Sequence, residues 1–443
     1  MVFLKHLEFK MHTLLILNPG HFHAALVLRE AHPRLSDNIY VYSQTGPDLD
    51  RFLEIVDAFN TRPTNPTHWK IHLYTEADYL DKLIEEKKGD IVILAGMNNT
   101  KMKNIEILNR EGFAILADKP WVTSEEALPF LRSAMAADRP LTMDIMTERY
   151  EITMRLQKEL LSSEEVFGQI RVDDDGSPSV FKESVHHLYK IVNDKPLVRP
   201  IWYFDVIVQG EGLVDTTVHL VDMTHWMLFP AKPIEYSKDI KLMDARRWPT
   251  KVPLEKFSKI TGAADFPDPV QDDVKGDILD YYCNGEVFYR VMGIPVHLRE
   301  IWNLEIPEGG GDTHRSIVKG TRTDLIIRQL PARGFKTELL LVPHGDREQM
   351  GQAVRAYLQK LSNKYPGLGM TQEENALLID IPDRLRTTHE QHFCKVRDAF
   401  LEKLDEGIIP AGDRTNIITK YTLLAEARKM ALSSPFEMLR HDL

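Results

Sequence analysis

Between residues 12 and 144, short apolar runs alternate with amphipathic stretches. Leu14–Leu17, Ile39–Tyr42, Ile71–Tyr74, Ile91–Ala95, Phe113–Ala117 and Leu141–Met143 read as strands, and segments around 23–32, 47–59, 76–87, 100–111 and 124–138 read as helices between them. Unbroken apolar runs suit strands buried on both faces, and a helix between successive strands implies right-handed crossovers. The pattern predicts a doubly wound parallel sheet, an α/β domain. Thr123, three residues before Glu126, marks a helix start of the capping-box type.

After Met146 the period changes. A helix over 147–162 leads to a strand near 166–172, a polar turn at Asp173–Gly176 and a helical stretch around 180–193. Strand-like Trp202–Val208 precedes an amphipathic helix over 213–229. Ile278–Cys283 and Glu286–Met292 then flank Asn284-Gly285, which predicts a hairpin because a type I′ turn needs two residues at positive φ. Arg315–Lys319 and Asp324–Gln329 flank a further turn, Thr337–Val342 adds a strand, and helices near 389–406 and 414–433 follow. This predicts an α+β domain with a large, mainly antiparallel sheet. The boundaries are an N-terminal extension over 1–10, the parallel-sheet (Rossmann) domain over 11–146, and the α+β domain over 147–443.

Composition narrows the classes. With 443 residues, 43% of them hydrophobic and 27% charged, the chain can bury two or three cores and is neither disordered nor fibrous. Lys and Arg number 55 against 66 Asp and Glu, a net charge of −11, which disfavours nucleic acid and anionic membranes as partners. Two cysteines, Cys283 and Cys394, make no disulfide framework, and no apolar run reaches membrane-spanning length. The expectation is a cytoplasmic protein.

The turn after the first strand, Asn18-Pro19-Gly20-His21-Phe22-His23-Ala24, stands where a dinucleotide fold carries three small residues. Gly20 keeps its place, Asn18 tolerates a left-handed backbone, and His23 is bulky where a small residue is expected, so taken alone the motif fits an ordinary tight turn equally well. The second strand ends Tyr42-Ser43-Gln44, without the acid that would hold a ribose. Lys119, in Asp118-Lys119-Pro120, lies at the carboxyl end of the fifth strand, where open α/β sheets bind ligands; a solvated strand-end lysine is the plainer alternative. Asp215 and His219 are four residues apart on a predicted helix, with Asp222 nearby. A carboxylate beside an imidazole orients it and raises its basicity, which a general base needs; a buried structural pair and a metal site are the alternatives. No HExxH or CxxC supports a metal, and none is expected. His186 and His187, on a predicted helix, would point about 100° apart, so at most one faces a cleft. Arg149 and Tyr150 follow the sixth strand and are candidates for contact with cofactor or substrate at the domain junction, with ordinary packing as the alternative.

In combination, Ala95-Gly96-Met97-Asn98, Asp118-Lys119-Pro120 with Thr123-Ser124-Glu125-Glu126-Ala127, Asp215-x3-His219-x2-Asp222 with Trp226 and Leu228, and Gly320-Thr321-Arg322-Thr323 resemble the Gfo/Idh/MocA (glucose–fructose oxidoreductase / inositol dehydrogenase) family. The resemblance implies an oxidoreductase with NAD or NADP as hydride carrier, a secondary alcohol of a sugar, glycoside or cyclitol as substrate, and a homodimer or homotetramer. It implies that His219 is the acid/base, that Asp215 orients it and that Lys119 polarises the reacting oxygen. Asn18, Gly20, His21, Phe22, His23, Ser43, Gly96, Asn98, Asp118 and Lys119 would hold the cofactor; Arg149, Tyr150, His187 and Asp222 would hold the substrate. Asp118 in place of Glu, Lys101 where a His is common, and the depleted glycine motif mark a divergent branch. Two other functions fit the same residues: glycoside cleavage through a transient keto-sugar on tightly held NAD, and a non-catalytic nucleotide-binding sensor or scaffold.

Overall fold

The computed structural model describes residues 10–192, 195–230, 232–307, 309–406 and 411–433. Residues 1–9 of the expected extension, and Glu308, lie outside the described residues. The chain divides into two compact units. The first comprises Met1–Trp121, Pro129–Thr147 and Thr388–Pro410; the second comprises Val122–Leu128, Glu148–Thr387 and Ala411–Leu443.

In the first unit β1 (Leu14–Leu17), β2 (Asn38–Tyr42), β3 (Lys70–Tyr74), β4 (Ile91–Leu94), β5 (Ala114–Ala117) and β6 (Thr142–Asp144) form one sheet in the order β3-β2-β1-β4-β5-β6. Every pairing is parallel. The connections carry α1 (His23–Leu26), α2 (Pro47–Thr61), α3 (Tyr79–Glu86), α4 (Lys101–Arg110) and α5 (Leu128–Ala134). β1, β4 and β5 are buried along their whole length, as runs such as Ile-Val-Ile-Leu require. α1 is one turn of four residues rather than the helix expected over 23–32.

The second unit begins with α6 (Ile152–Leu161). Its ten-stranded sheet contains β7 (Val180–Tyr189), β10 (Ile240–Pro253), β11 (Val274–Lys275), β12 (Ile278–Val291), β13 (Ile294–Glu305), β14 (Thr313–Val318), β15 (Thr323–Gln329), β16 (Thr337–Pro343), β17 (Gly369–Gln372) and β18 (Leu377–Asp380). The order is β10-β12-β13-β7-β14-β15-β16-β18-β17, with β11 on β12; only β13 and β7 pair in parallel. β8 (Ile191–Val192) and β9 (Lys195–Pro196) make a small ribbon. The helices are α7 (Val206–Gln209), α8 (Thr217–Leu228), α9 (Tyr236–Asp239), α10 (Leu254–Thr261), α11 (Arg347–Lys360) and α13 (Ala411–Ser433), while α12 (His389–Glu406) belongs to the first unit. α8 is buried nearly all round, with α6, α13 and the β7–β13 face of the sheet against it.

Several expected elements differ. The stretch 180–189 is a strand, not a helix, so His186 and His187 point to opposite faces. Trp202–Val208 is a 3-10 turn followed by α7, because the Asp205 side chain accepts the Ile207 amide at 2.8 Å and caps that helix. The expected strand over 166–172 amounts to one bridge, Ile170 to Gly320. Asn284-Gly285 is not a hairpin turn: β12 runs through it, and the turn falls at Met292-Gly293, with φ of +49° and +85°. Asn284 instead serves the bulge in β10. Its Nδ2 donates to Trp248 O (3.1 Å) and Thr250 Oγ1 (2.9 Å), and its Oδ1 accepts the Trp302 amide at 2.7 Å.

Candidate functional site

In the first unit the strand order reverses between β1 and β4, the place where such sheets open a ligand crevice at their carboxyl ends. Asn18 follows β1 with φ +42°, the left-handed conformation its side chain tolerates, and its Oδ1 accepts the Ser43 hydroxyl at 3.2 Å. Ser43 is buried at the end of β2. The Gly20 and His21 amides both donate to Ala95 O, at 3.0 and 2.9 Å, so the turn is stitched to the end of β4. Gly96 is required there: a Cβ would lie 2.5 Å from Asn18 O. Phe22 and Met97 expose 36% and 40% of their surfaces in these same two turns, apolar area unusual beside a polar crevice. A tight glycine turn with exposed apolar side chains at the switch point fits a dinucleotide.

The two most irregular motif positions form one feature. His23, where a small residue is usual, and Asp118, where the family has Glu, are hydrogen-bonded at 2.9 Å between Nδ1 and Oδ2. The His21 ring lies against His23, with centroids 4.0 Å apart, and its Nδ1 stands 3.7 Å from the same carboxylate oxygen. The Lys101 ammonium donates to the Asn98 side chain and to Asp118 O. Burial lowers the pKa of both the His21 and His23 imidazoles, against the opposing pull of Asp118. Burial also opposes the charge on Asp118, but His23, Lys101 and His21 hold its carboxyl well below the ordinary range. His21, His23 and Asp118 present ligand atoms within 4.8 Å of one another, a constellation a metal ion could use and one the sequence pattern did not assemble. Lys119 and Lys101 bear electrostatically on the same His21 ring, which disfavours adding a cation. Lys119 follows β5, and the Lys119–Pro120 peptide is cis.

In the second unit Asp215 lies in the turn that leads into α8, not inside the helix, and His219 is in the first turn of α8. Asp215 is buried, and its Oδ2 accepts from Gln209 Nε2 at 2.9 Å. The lead-in crosses β12 so closely that a Cβ on Gly212 would lie 1.8 Å from Cys283 O. Trp302 Nε1 donates to Thr216 Oγ1 at 3.3 Å, tying this turn to β13. His219 is half-buried.

The four expected substrate residues are placed differently. Asp222 is 4% exposed, and both its oxygens are engaged: Arg149 donates from Nε (2.6 Å) and Nη2 (2.7 Å), and Lys420 Nζ donates at 2.7 Å. Burial works against the Asp222 charge, but these two cations hold the carboxyl below its ordinary range. That cluster ties α8 to the turn before α6 and to α13, with the Arg149 side chain still 37% exposed. The His187 side chain is 3% exposed, with its Nδ1 3.3 Å from Asp312 Oδ1. Tyr150 is half-buried. On the opposite face of β7, His186 is 24% exposed and stacks on Trp302 with centroids 4.8 Å apart.

A family model described as "Putative oxidoreductase C terminal domain" matches residues 156–432. No curated protein matches the chain. The crystal structure titled "a putative oxidoreductase from Parabacteroides merdae" is 40% identical, with 95% of this chain and 98% of that chain covered and a TM-score of 0.92. A levoglucosan dehydrogenase in its apo form is 13% identical, with 96% and 97% covered and a TM-score of 0.60. KijD10, a 3-ketoreductase from Actinomadura kijaniata in complex with TDP-benzene and NADP, is 14% identical, with 95% and 98% covered and a TM-score of 0.55. The parallel sheet with its switch-point crevice and the large mixed sheet behind α8 define the two-domain Gfo/Idh/MocA-type oxidoreductase fold. The chain belongs to the oxidoreductase family that this C-terminal domain marks.

Proposed function

We propose that the protein is an NAD(P)-dependent dehydrogenase that transfers a hydride between the nicotinamide and a secondary alcohol of a sugar, glycoside or cyclitol. The observation that carries this is the pairing of two features in one member of an oxidoreductase family: Lys119 at the carboxyl end of β5 beside the switch point, and His219 four residues beyond a buried Asp215. The NADP in the 3-ketoreductase of the same fold supports the cofactor class, and the levoglucosan dehydrogenase supports the substrate class.

When bound, NAD or NADP supplies the hydride acceptor. Gly20, Gly96, Asn18 and Ser43 shape the turn that receives it, with His21, Phe22, His23, Asn98 and Asp118 around it. His219 takes the alcohol proton, a task for which an imidazole side chain is suited at neutral pH. Asp215, fixed by Gln209, positions the imidazole. Lys119 donates to the reacting oxygen and stabilises developing alkoxide charge. Removing a general base costs about 10²–10⁴-fold in rate. His219→Asn is therefore expected to lower kcat by that factor while nucleotide affinity and Tm stay near wild type. A folded variant whose per-molecule activity remains within a few-fold of wild type, across sugars and both nucleotides, would show that His219 is structural.

A further inference from the structure

Away from the reaction residues, the second unit holds a cavity of about 410 Å³ where the ends of two helices meet a connecting segment. The last turn of α6 lines it with Lys158 and Leu161, the chain after α6 with Phe167 and Ile170, and the last turn of α8 with Met227. Phe167 and Met227 are buried and form an apolar floor, while Ser162 and Gln169 are exposed and mark the mouth. The connecting segment is pinned in place. Thr321 N donates to Gln169 O at 2.8 Å, Gln169 N to Thr321 Oγ1 at 3.1 Å, and Arg322 N to Phe167 O at 3.1 Å. Apolar walls with a few fixed polar groups are the usual make-up of a small-molecule site. Met227 lies eight residues beyond His219 on α8, about 12 Å along the helix axis, so the cavity is apart from the reaction residues.

Lys158 supplies the charge. Its ammonium stands 3.9 Å from the centre of the Trp226 ring, and among the described residues it makes no hydrogen bond or ion pair. α6 and α8 carry one acid each, and both are engaged elsewhere. Glu159 accepts from Lys364 Nζ and from the Tyr365 hydroxyl, and Asp222 is held by Arg149 and Lys420. In the connecting segment Glu164 and Glu165 are exposed, with Glu165 3.5 Å from Lys360. Arg149, Lys364 and Arg155 bear on Lys158 as like charges, and Glu159 as an opposite one. Burial, then Arg149, pushes the Lys158 pKa down to about 8, which leaves the side chain mostly charged at neutral pH.

An ammonium backed by an aromatic face and short of a counter-ion attracts an anion, and a carboxylate takes a charge-assisted hydrogen bond from it. The apolar floor favours a hydrocarbon body on that carboxylate. A phosphate dianion fits less well, because its several acceptor oxygens call for several donors and this wall offers one ammonium. We propose that the cavity between the ends of α6 and α8 binds an amphiphilic monoanion, an aromatic or medium-chain aliphatic carboxylate. Its carboxylate pairs with Lys158, and its hydrocarbon part lies against Phe167, Ile170 and Met227.

Calorimetry and thermal melts of the full chain at pH 7 compare benzoate, 3-phenylpropionate, hexanoate and octanoate with benzyl alcohol, acetate and inorganic phosphate. At least one hydrocarbon carboxylate is expected to bind at a single site per chain, to raise Tm, and to exceed the alcohol, acetate and phosphate by about tenfold or more in affinity. Lys158→Met removes the charge and should weaken that binding about tenfold or more, whereas Lys158→Arg keeps a cation over Trp226 and should stay within a few-fold of wild type. If the variants fail to fold, the wild-type protein still decides. Affinity should fall about tenfold between pH 7 and 9 as the Lys158 ammonium loses its proton, a fall that a purely apolar pocket does not show. No saturable binding, phosphate preferred to every carboxylate, equal affinity in folded Lys158→Met, or affinity unchanged between pH 7 and 9 would overturn the site.

Discussion

At the scale of single residues, the buried histidines set how the protein responds to acid. His225, on α8, has its Nε2 3.3 Å from the Tyr289 hydroxyl and its Nδ1 buried without a partner. Burial pushes it down to about 4, and His314 down to about 3. In the unfolded chain both titrate near 6.5. Below that pH the unfolded state binds protons that the native state refuses, so stability falls as pH drops from 6.5 towards 4; above 6.5 these groups have no effect. Each such histidine contributes up to about 1.4 kcal/mol of loss per pH unit. Tm is therefore expected to drop steeply between pH 6.5 and 5. His225→Gln should flatten part of that slope while costing some stability at pH 7.5. Thermal melts of both proteins across this range check the sign; an equal slope in the variant would show that His225 is not among the groups responsible. His23 and Asp118 teach a different lesson at the same scale. Each looks like a defect in its own motif, and only the 2.9 Å hydrogen bond shows that they compensate each other.

At the scale of elements, what was legible in the sequence depended on whether local pattern or tertiary contact decided the structure. Within the parallel sheet β1, β4 and β5 stood out because burial on both faces leaves unbroken apolar runs. β7 did not: its inner face carries Lys182, Ser184 and His186, so alternation of apolar with polar, the usual mark of a strand, is missing. β10 was missed for a related reason, since Lys241, Asp244, Arg246, Arg247 and Lys251 fill a strand at the sheet edge. Asn284-Gly285 carries a true turn signal, but its side-chain bonds to the β10 bulge and the nearness of Leu213 to Gly285 explain the two residues within a continuous strand. The candidate chemistry was legible where it sits in motifs, as at Lys119 and His219, and not where two separate turns bring it together, as at His21, His23 and Asp118. Gly212 gives a prediction at this level. A Cβ 1.8 Å from a backbone oxygen cannot be absorbed by rotating a side chain, so α8's lead-in must move. Gly212→Ala is expected to cost about 1–3 kcal/mol or more in denaturant melts and to lower kcat by displacing Asp215. A variant with wild-type stability would show that the crossing is looser than this geometry requires.

At the scale of the whole molecule, the first unit is not continuous in sequence. Its parallel sheet is complete by Asp144, yet α12 joins it from residues 389–406. The attachment is specific and buried. Arg397, 2% exposed, donates from Nη1 to Val27 O (2.8 Å) and Glu30 O (2.6 Å), and Arg34 Nη2 donates to Leu401 O at 2.8 Å. Phe393 packs on His23, with ring centroids 4.5 Å apart, and Phe400 and Leu401 are fully buried. α12 thus completes the short α1, which is a single turn and has little stability of its own. A fragment ending at residue 147 would leave the carbonyls of Leu26, Val27 and Glu30 without these donors and expose the apolar area that α12 covers. Such a fragment is expected to melt without a cooperative transition or to aggregate. Residues 10–147 joined by a flexible linker to 388–406 should regain a single cooperative melt, and Arg397→Ala in that chimera should lower its Tm by several degrees. Circular dichroism melts of the three species measure this directly. Cooperative unfolding of residues 10–147 alone, at a Tm equal to that of the chimera, would mean that α12 rests on a unit already stable without it.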